Sequence, residues 1–166
     1  MRYRLTEYSS DQIVTFQIES IAGQPNALKA SWDVSSLTSV LWPQFTQQRR
    51  EDELWRTTCL ELFIGKMGEA SYVELNVSPT GGWNAYQFNT YREGMKQSEV
   101  IEIINFHVSD FFLEATFQGI DMAFPITLGP AVIIEKEGGE LDYFAIKHGD
   151  NPDFHDAALH TKIDHL

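Results

Sequence analysis

Short stretches of alternating polar and apolar residues, each stopped by Gly, Pro, Asn or Asp, recur along most of the 166-residue chain. Alternation with period two is the signature of a strand with one buried face. No long stretch of period 3.6 competes with it. In residues 12–20 (QIVTFQIES), Val14, Phe16 and Ile18 share the face assigned to the core, while Ile13, Thr15, Gln17 and Glu19 take the other. Residues 28–34, 37–42, 57–65, 71–78, 82–90, 99–108, 111–118, 131–136 and 140–147 read as further extended segments. The joints "VSD" and "EGG" are short enough for hairpins. Residues 42–55 (WPQFTQQRREDELW) read as a loop over one end of a sheet, and residues 91–98 (YREGMKQS) as a loop or helical turn. The expectation is one all-β domain over 1–166, an antiparallel β-sandwich of jelly-roll or immunoglobulin-like type with about nine strands.

Charge narrows the partners. Asp and Glu number 24 against 12 Lys and Arg, a net charge of -12. Such a chain repels phosphate backbones, which argues against nucleic acid. No apolar run approaches the roughly 20 residues that cross a bilayer, so no membrane partner is expected. The opening "MRYRLTEYSSDQ" carries no apolar core of a secretion signal, and the expected location is the cytoplasm. Cys59 is the single cysteine, which leaves no internal disulfide and suggests a small half-buried strand residue. The oligomeric state is not legible.

Residues 57–78 (TTCLELFIGKMGEASYVELNVS) carry the chemistry. A turn centred near Met67 and Gly68 would oppose Leu62 to Val73 and Leu60 to Leu75. It would then oppose Glu61 to Glu74, Cys59 to Asn76 and Phe63 to Tyr72. Like charges directly opposite destabilise a sheet, so the two glutamates would need donors from elsewhere. After the Pro-Gly turn "SPTGGW", Trp83, Ala85, Gln87 and Asn89 would extend the polar face, with Tyr86 and Phe88 in the core. The product is a concave sheet face of Glu61, Glu74, Asn76, Gln87 and Asn89, with Trp55 and Trp83 near its ends and Arg92 as a counter-charge. Carboxylates and carboxamides match vicinal hydroxyls. An indole packs on the apolar face of a pyranose. The expected function is therefore non-catalytic binding of a saccharide or sugar-containing metabolite.

Two other constellations are weaker. "KHGDNPDFHD" holds His148, Asp150, Asp153, His155 and Asp156, ligand types for a metal or for calcium, but at no zinc spacing. His107 and Met95 are ligand types for haem, which makes a haem-binding redox module the second reading. A protein-interaction domain without a small ligand is the third. Neither a metal nor any other cofactor is required by the first reading.

"ELWRTTCLELFI", "SYVELNVSPTGGWNAYQFNTYREGM" and "DYFAIKHGDNPDFH" resemble the bacterial stand-alone DOMON-like domains related to family 9 carbohydrate-binding modules. The resemblance covers roughly the C-terminal two-thirds. It implies an antiparallel β-sandwich that binds a sugar or haem. Trp55 and Glu61 resemble the family's tryptophan and the sugar-contacting glutamate that follows it, and Glu74 and Asn76 match the polar positions of the next strand. The family stacks its sugar between two tryptophans, and Trp83 is the candidate for the second.

Overall fold

Alternation in the sequence becomes burial in the structure: Val14, Phe16 and Ile18 are all fully buried, on the face assigned to the core. The computed structural model describes residues 1–166. The first wing of strands comprises β1 (Arg2–Glu7), β2 (Ile13–Ile21) and β3 (Gln24–Asp33). A second group follows: β4 (Arg49–Arg50), β5 (Cys59–Lys66), β6 (Tyr72–Val77), β7 (Gly82–Phe88) and β8 (Lys96–Gln97). The chain then forms β9 (Glu102–Ser109), β10 (Phe112–Gln118), β11 (Ile126–Glu135), β12 (Leu141–Ala145) and β13 (Thr161–Ile163). Its only helical elements are two 3-10 turns, Leu54–Arg56 and Ala157–Leu159.

The strands form one continuous sheet in the order β4-β7-β6-β5-β11-β12-β1-β2-β3-β10-β9, with β13 also on β11 and β8 also on β7. All pairs are antiparallel except β4 with β7. This corrects the sandwich of about nine strands. The sheet curls through β11, β12 and β1, so its two wings face each other as a half-barrel. A single cluster of 27 buried residues fills the space between them, from Leu60, Leu62 and Leu75 on one wing to Phe16, Trp32 and Phe117 on the other. The two sheet edges come close without a backbone ladder. Side chains span the gap: Gln48 Nε2 donates to the Ile103 carbonyl at 3.2 Å and Arg50 Nη2 to the Ile101 carbonyl at 2.5 Å. Curling also shortens the exposed edge that an open sheet would offer to other chains.

The hairpin expectations at "VSD" and "EGG" match the β9–β10 and β11–β12 pairs. Residues 37–42 do not form a strand; Val40 makes one isolated bridge to Lys136. Strands β1, β4, β8 and β13, the start of β3 and the first half of β11 lie outside the segments expected to be extended. In β11, Gly129 and Pro130 interrupt the hydrophobic alternation, and both sit opposite β5.

Gly129 has a packing reason. A Cβ there would meet the His160 ring at 2.2 Å. The bare backbone lets the C-terminal segment lie on β11, where His160 Nε2 pairs with the Phe154 carbonyl at 2.9 Å. Gly129→Ala is expected to displace that ring at a cost of about 1–3 kcal/mol. A lowered melting temperature, with faster proteolytic cleavage between residues 147 and 160, checks it.

Candidate functional site

The β5–β6 hairpin keeps the expected faces but slides by two residues. Leu62 lies opposite Leu75 and Leu60 opposite Val77. Glu61 therefore faces Asn76, and Phe63 faces Glu74, in place of the expected Glu61–Glu74, Cys59–Asn76 and Phe63–Tyr72 pairs. The connection is longer than the tight turn expected: Gly65 opposite Tyr72 closes it, and Gly68 takes a positive φ of 86° within it. A slip of two preserves which side chains share a face. The two glutamates still share one face and interact electrostatically, as diagonal neighbours and not head-on.

On β7 the expected faces are reversed. Trp83 opposes Val77 and Ala85 opposes Leu75, so both belong to the inner core. Trp83 is 7% exposed and carries the Arg50 guanidinium 4.2 Å above its ring. It is not a second stacking platform. Gln87 and Asn89 lie away from the two glutamates and line a separate shallow depression with Lys66 and Lys96. The residues that do join Glu74 and Asn76 are Asn84, Tyr86 and Phe88. The reason is physical: the outer face is roofed by other segments, so both faces of β7 are apolar and hydrophobicity does not tell them apart.

The roof creates a cavity of about 320 Å³ on the side of the sheet turned away from the core, not on a concave sheet face. That volume is at the lower end of the range usual for small-ligand sites, about 300–1,000 Å³. Its floor is Glu61, Phe63, Glu74 and Phe88, with Ile133 and Tyr143 beside them. Trp55 closes one side from the first 3-10 turn, its ring edge-on to Tyr86 at 5.9 Å. Arg92 and Met95 come from the turn between β7 and β8. Pro152, Phe154 and His155 come from the segment after β12.

Several polar groups on this face are already satisfied by the protein. Asp52 Oδ1 accepts from Tyr86 Oη and Asn84 Nδ2, each at 2.8 Å, and Arg50 Nη1 donates to Asn84 Oδ1 at 3.2 Å. Arg92, in a left-handed backbone conformation, donates from Nη2 to Asp153 Oδ1 at 2.9 Å, and the Tyr91 hydroxyl also donates to Asp153. The expected counter-charge is thus held at the rim by its own acidic partner.

The glutamates are left differently. Glu74 Oε1 accepts from Asn76 Nδ2 at 2.8 Å. Burial pushes the Glu74 carboxyl up to about 7, against the Asn76 hydrogen bond and the Arg92 charge. Glu61 is 3% exposed, with no cation in salt-bridge range; burial and then the neighbouring Glu74 hold its carboxyl well above the ordinary range. Only the Cys59 thiol and the more distant Arg92 act in the other direction. Cys59 is fully buried beside it, more so than expected, and burial raises its thiol too. Asn76 is fully buried and does not line the cavity; it holds Glu74 in place, and its own Oδ1 has no donor.

His155 is the main residue whose role the sequence did not disclose. Its Nδ1 pairs with the Tyr72 hydroxyl at 2.7 Å, and its ring stands edge-on to Phe63 and Phe88 at 5.0 and 5.2 Å. Burial, and next the Arg92 charge, lower its pKa to about 4. At neutral pH the ring is uncharged, so its 3.8 Å approach to Glu74 is not an ion pair. The "PDFH" motif was the available signal, but nothing in its spacing pointed to β5 and β6.

The alternative ligand sets are dispersed. His148 Nε2 pairs with the Thr6 carbonyl at 2.8 Å, Asp156 caps the second 3-10 turn through Ala158, and Asp153 is bound to Arg92. No group of three His, Cys, Asp or Glu side chains is arranged to hold a metal. Of the two haem-ligand candidates, Met95 stands at the cavity rim while His107 is exposed on β9 and does not line it.

Fold and site together define a curled β-sheet protein with a roofed, aromatic-walled and acid-floored cavity on its outer face. No protein-family model and no curated protein matches the chain. Among solved structures it is similar to a Bacteroides uniformis protein for which carbohydrate binding has been proposed. The TM-score is 0.67 at 10% identity, over 99% of this chain and 85% of that one. At that identity the likeness shows a shared fold.

Proposed function

We propose that the chain is a non-catalytic domain, of the DOMON-like kind related to family 9 carbohydrate-binding modules, that binds a saccharide or sugar-containing metabolite in the outer-face cavity. One observation carries the reading. Glu61 is an almost fully buried acceptor on the cavity floor without a protein cation, and the Trp55 indole stands at the same cavity. A buried carboxyl whose one hydrogen-bond partner is a weak thiol donor is costly, and a ligand hydroxyl supplies a stronger one. Trp55 offers a ring for the apolar face of a pyranose. The fold neighbour with a proposed carbohydrate role supports the same direction. The cytoplasm is the proposed location.

A thermal-shift screen against mono- and oligosaccharides, followed by calorimetry, tests it. Trp55→Ala and Glu61→Gln are each expected to weaken a hit at least tenfold while the far-ultraviolet circular dichroism stays that of a β protein. Trp83→Phe and Gln87→Ala are expected to leave affinity unchanged, because both side chains lie off the cavity. Affinity indifferent to Trp55 and Glu61 removes the site.

A further inference from the structure

The lining of this cavity is unbalanced in a way that bears on ligand charge. Its floor offers two carboxyl groups, and the single cation at its rim is already bound to Asp153. Glu61 makes no ion pair and is 3% exposed. The rest of the lining is rich in rings: Phe63 and Phe88 on the floor, and Trp55, Tyr143 and Phe154 around it. A sugar hydroxyl brings one donor, two acceptor lone pairs and no charge. It would satisfy Glu61 without offsetting the cost of ionising two neighbouring buried carboxyls.

We infer that the ligand carries a protonated amine, as an amino sugar does, which sits over Glu61 and Glu74 with its remaining surface against the aromatic walls. This rests on the saccharide reading for the ring that bears the amine, and not for the charge. A primary ammonium supplies three donors and no acceptor. That matches a floor whose free valences are acceptors. Its positive charge neutralises the carboxylates at close range in a site with little water, where such attraction is strong. Aromatic faces add to the attraction for a cation within about 6 Å. The chain's net charge of -12 draws cations toward it from a distance.

Proton balance gives the inference a second readout. The groups facing the carboxyl pair are Cys59 on β5, Tyr72 on β6, Tyr86 on β7, Tyr143 on β12, Arg92 at the rim, and His155 and Asp153 on the C-terminal segment. His155 is neutral at pH 7 and Arg92 remains charged, so the titration on ligand entry falls on Glu61 and Glu74. In the empty site burial, and for Glu61 also the neighbouring Glu74, hold both carboxyls above their ordinary range. An entering ammonium displaces a proton to solvent, and affinity rises with pH until the amine itself deprotonates.

Calorimetry with four probes decides it: glucosamine, glucose, N-acetylglucosamine and cyclohexylmethylamine. The expected result is glucosamine bound at least tenfold more tightly than glucose or N-acetylglucosamine, with affinity up about tenfold from pH 5.5 to pH 7. Proton release should appear as a buffer-dependent heat, and both effects should shrink in Glu61→Gln and vanish when Glu74→Gln is added. Equal or tighter binding of glucose overturns the charge inference and leaves the saccharide reading standing. Cyclohexylmethylamine binding as well as glucosamine, with glucose silent, keeps the charge inference and removes the sugar. No heat from any of the four overturns both.

Discussion

Trp32→Ala is expected to destabilise the fold by about 3–5 kcal/mol, a large share of the roughly 5–15 kcal/mol that holds a domain of this size. Trp32 is among the largest fully buried side chains, lying opposite Phe16 on β2 and Leu113 on β10, with its ring 5.3 Å from that of Phe16. It anchors one wing of the curled sheet to the shared core, so truncation opens a void between strands that cannot collapse independently. Its indole Nε1 is buried without an acceptor. Trp32→Phe removes that unpaired donor, worth about 1–3 kcal/mol, while leaving a smaller void. The two changes oppose, and the phenylalanine variant is expected within about 1–2 kcal/mol of the original protein. Urea unfolding of both variants checks the pair. An alanine variant that unfolds at nearly the original midpoint contradicts the single-core architecture.

Glu61→Gln is expected to stabilise the ligand-free protein, and to do so more strongly as pH rises. Both carboxyls are held above their ordinary range in the fold, chiefly by burial. Between the unfolded and folded pKa values the native state binds more protons than the unfolded chain. Stability from this pair is therefore fully present at low pH and falls as pH rises through about 7 and beyond. His155 and His160, lowered by burial, act oppositely and only in the acid range: their contribution is complete above about 6.5 and is lost toward the His155 value of about 4. Comparing Glu61→Gln with the original protein at each pH cancels the histidines. The gain is expected to be smallest at pH 5 and to grow steadily toward pH 8, because burial and the neighbouring Glu74 hold the folded Glu61 carboxyl above its ordinary range. Urea unfolding at four pH values from 5 to 8 measures it. A difference that does not grow with pH means that Glu61 ionises freely and that the cavity floor is wetter than its burial implies. The same substitution that strengthens the fold is expected to weaken the ligand, a trade common at binding sites that hold unpaired buried groups.

How much of this was legible beforehand differs by element. The alternation of residues 12–20 placed Val14, Phe16 and Ile18 in the core, because burial on one face of a strand leaves a period of two and nothing else in that segment competes. The faces of β5 and β6 were legible for the same reason, and with them the co-location of Glu61 and Glu74. The pairing register between them was not, because it depends on the length of the turn, and a shift of two residues leaves the hydrophobic pattern unchanged. β7 was misread because Trp83 and Phe88 are both large and apolar, yet one faces the core and the other faces the roofed cavity. The first half of β11 escaped because Gly129 and Pro130 break the pattern for reasons of packing against His160 and β5.

The sequence by itself determined an all-β chain, its main hairpins, and a strand pair that carries two carboxyls on one face, since each of these follows from local periodicity and turn chemistry. Only the tertiary structure decided that the strands join into one curled sheet, that the acidic face is roofed, and that His155 and Trp55 meet there. Those outcomes depend on contacts between segments remote along the chain. Residues 152–155 close over β5 and β6 from more than seventy positions away, and no local pattern encodes where such a segment comes to rest.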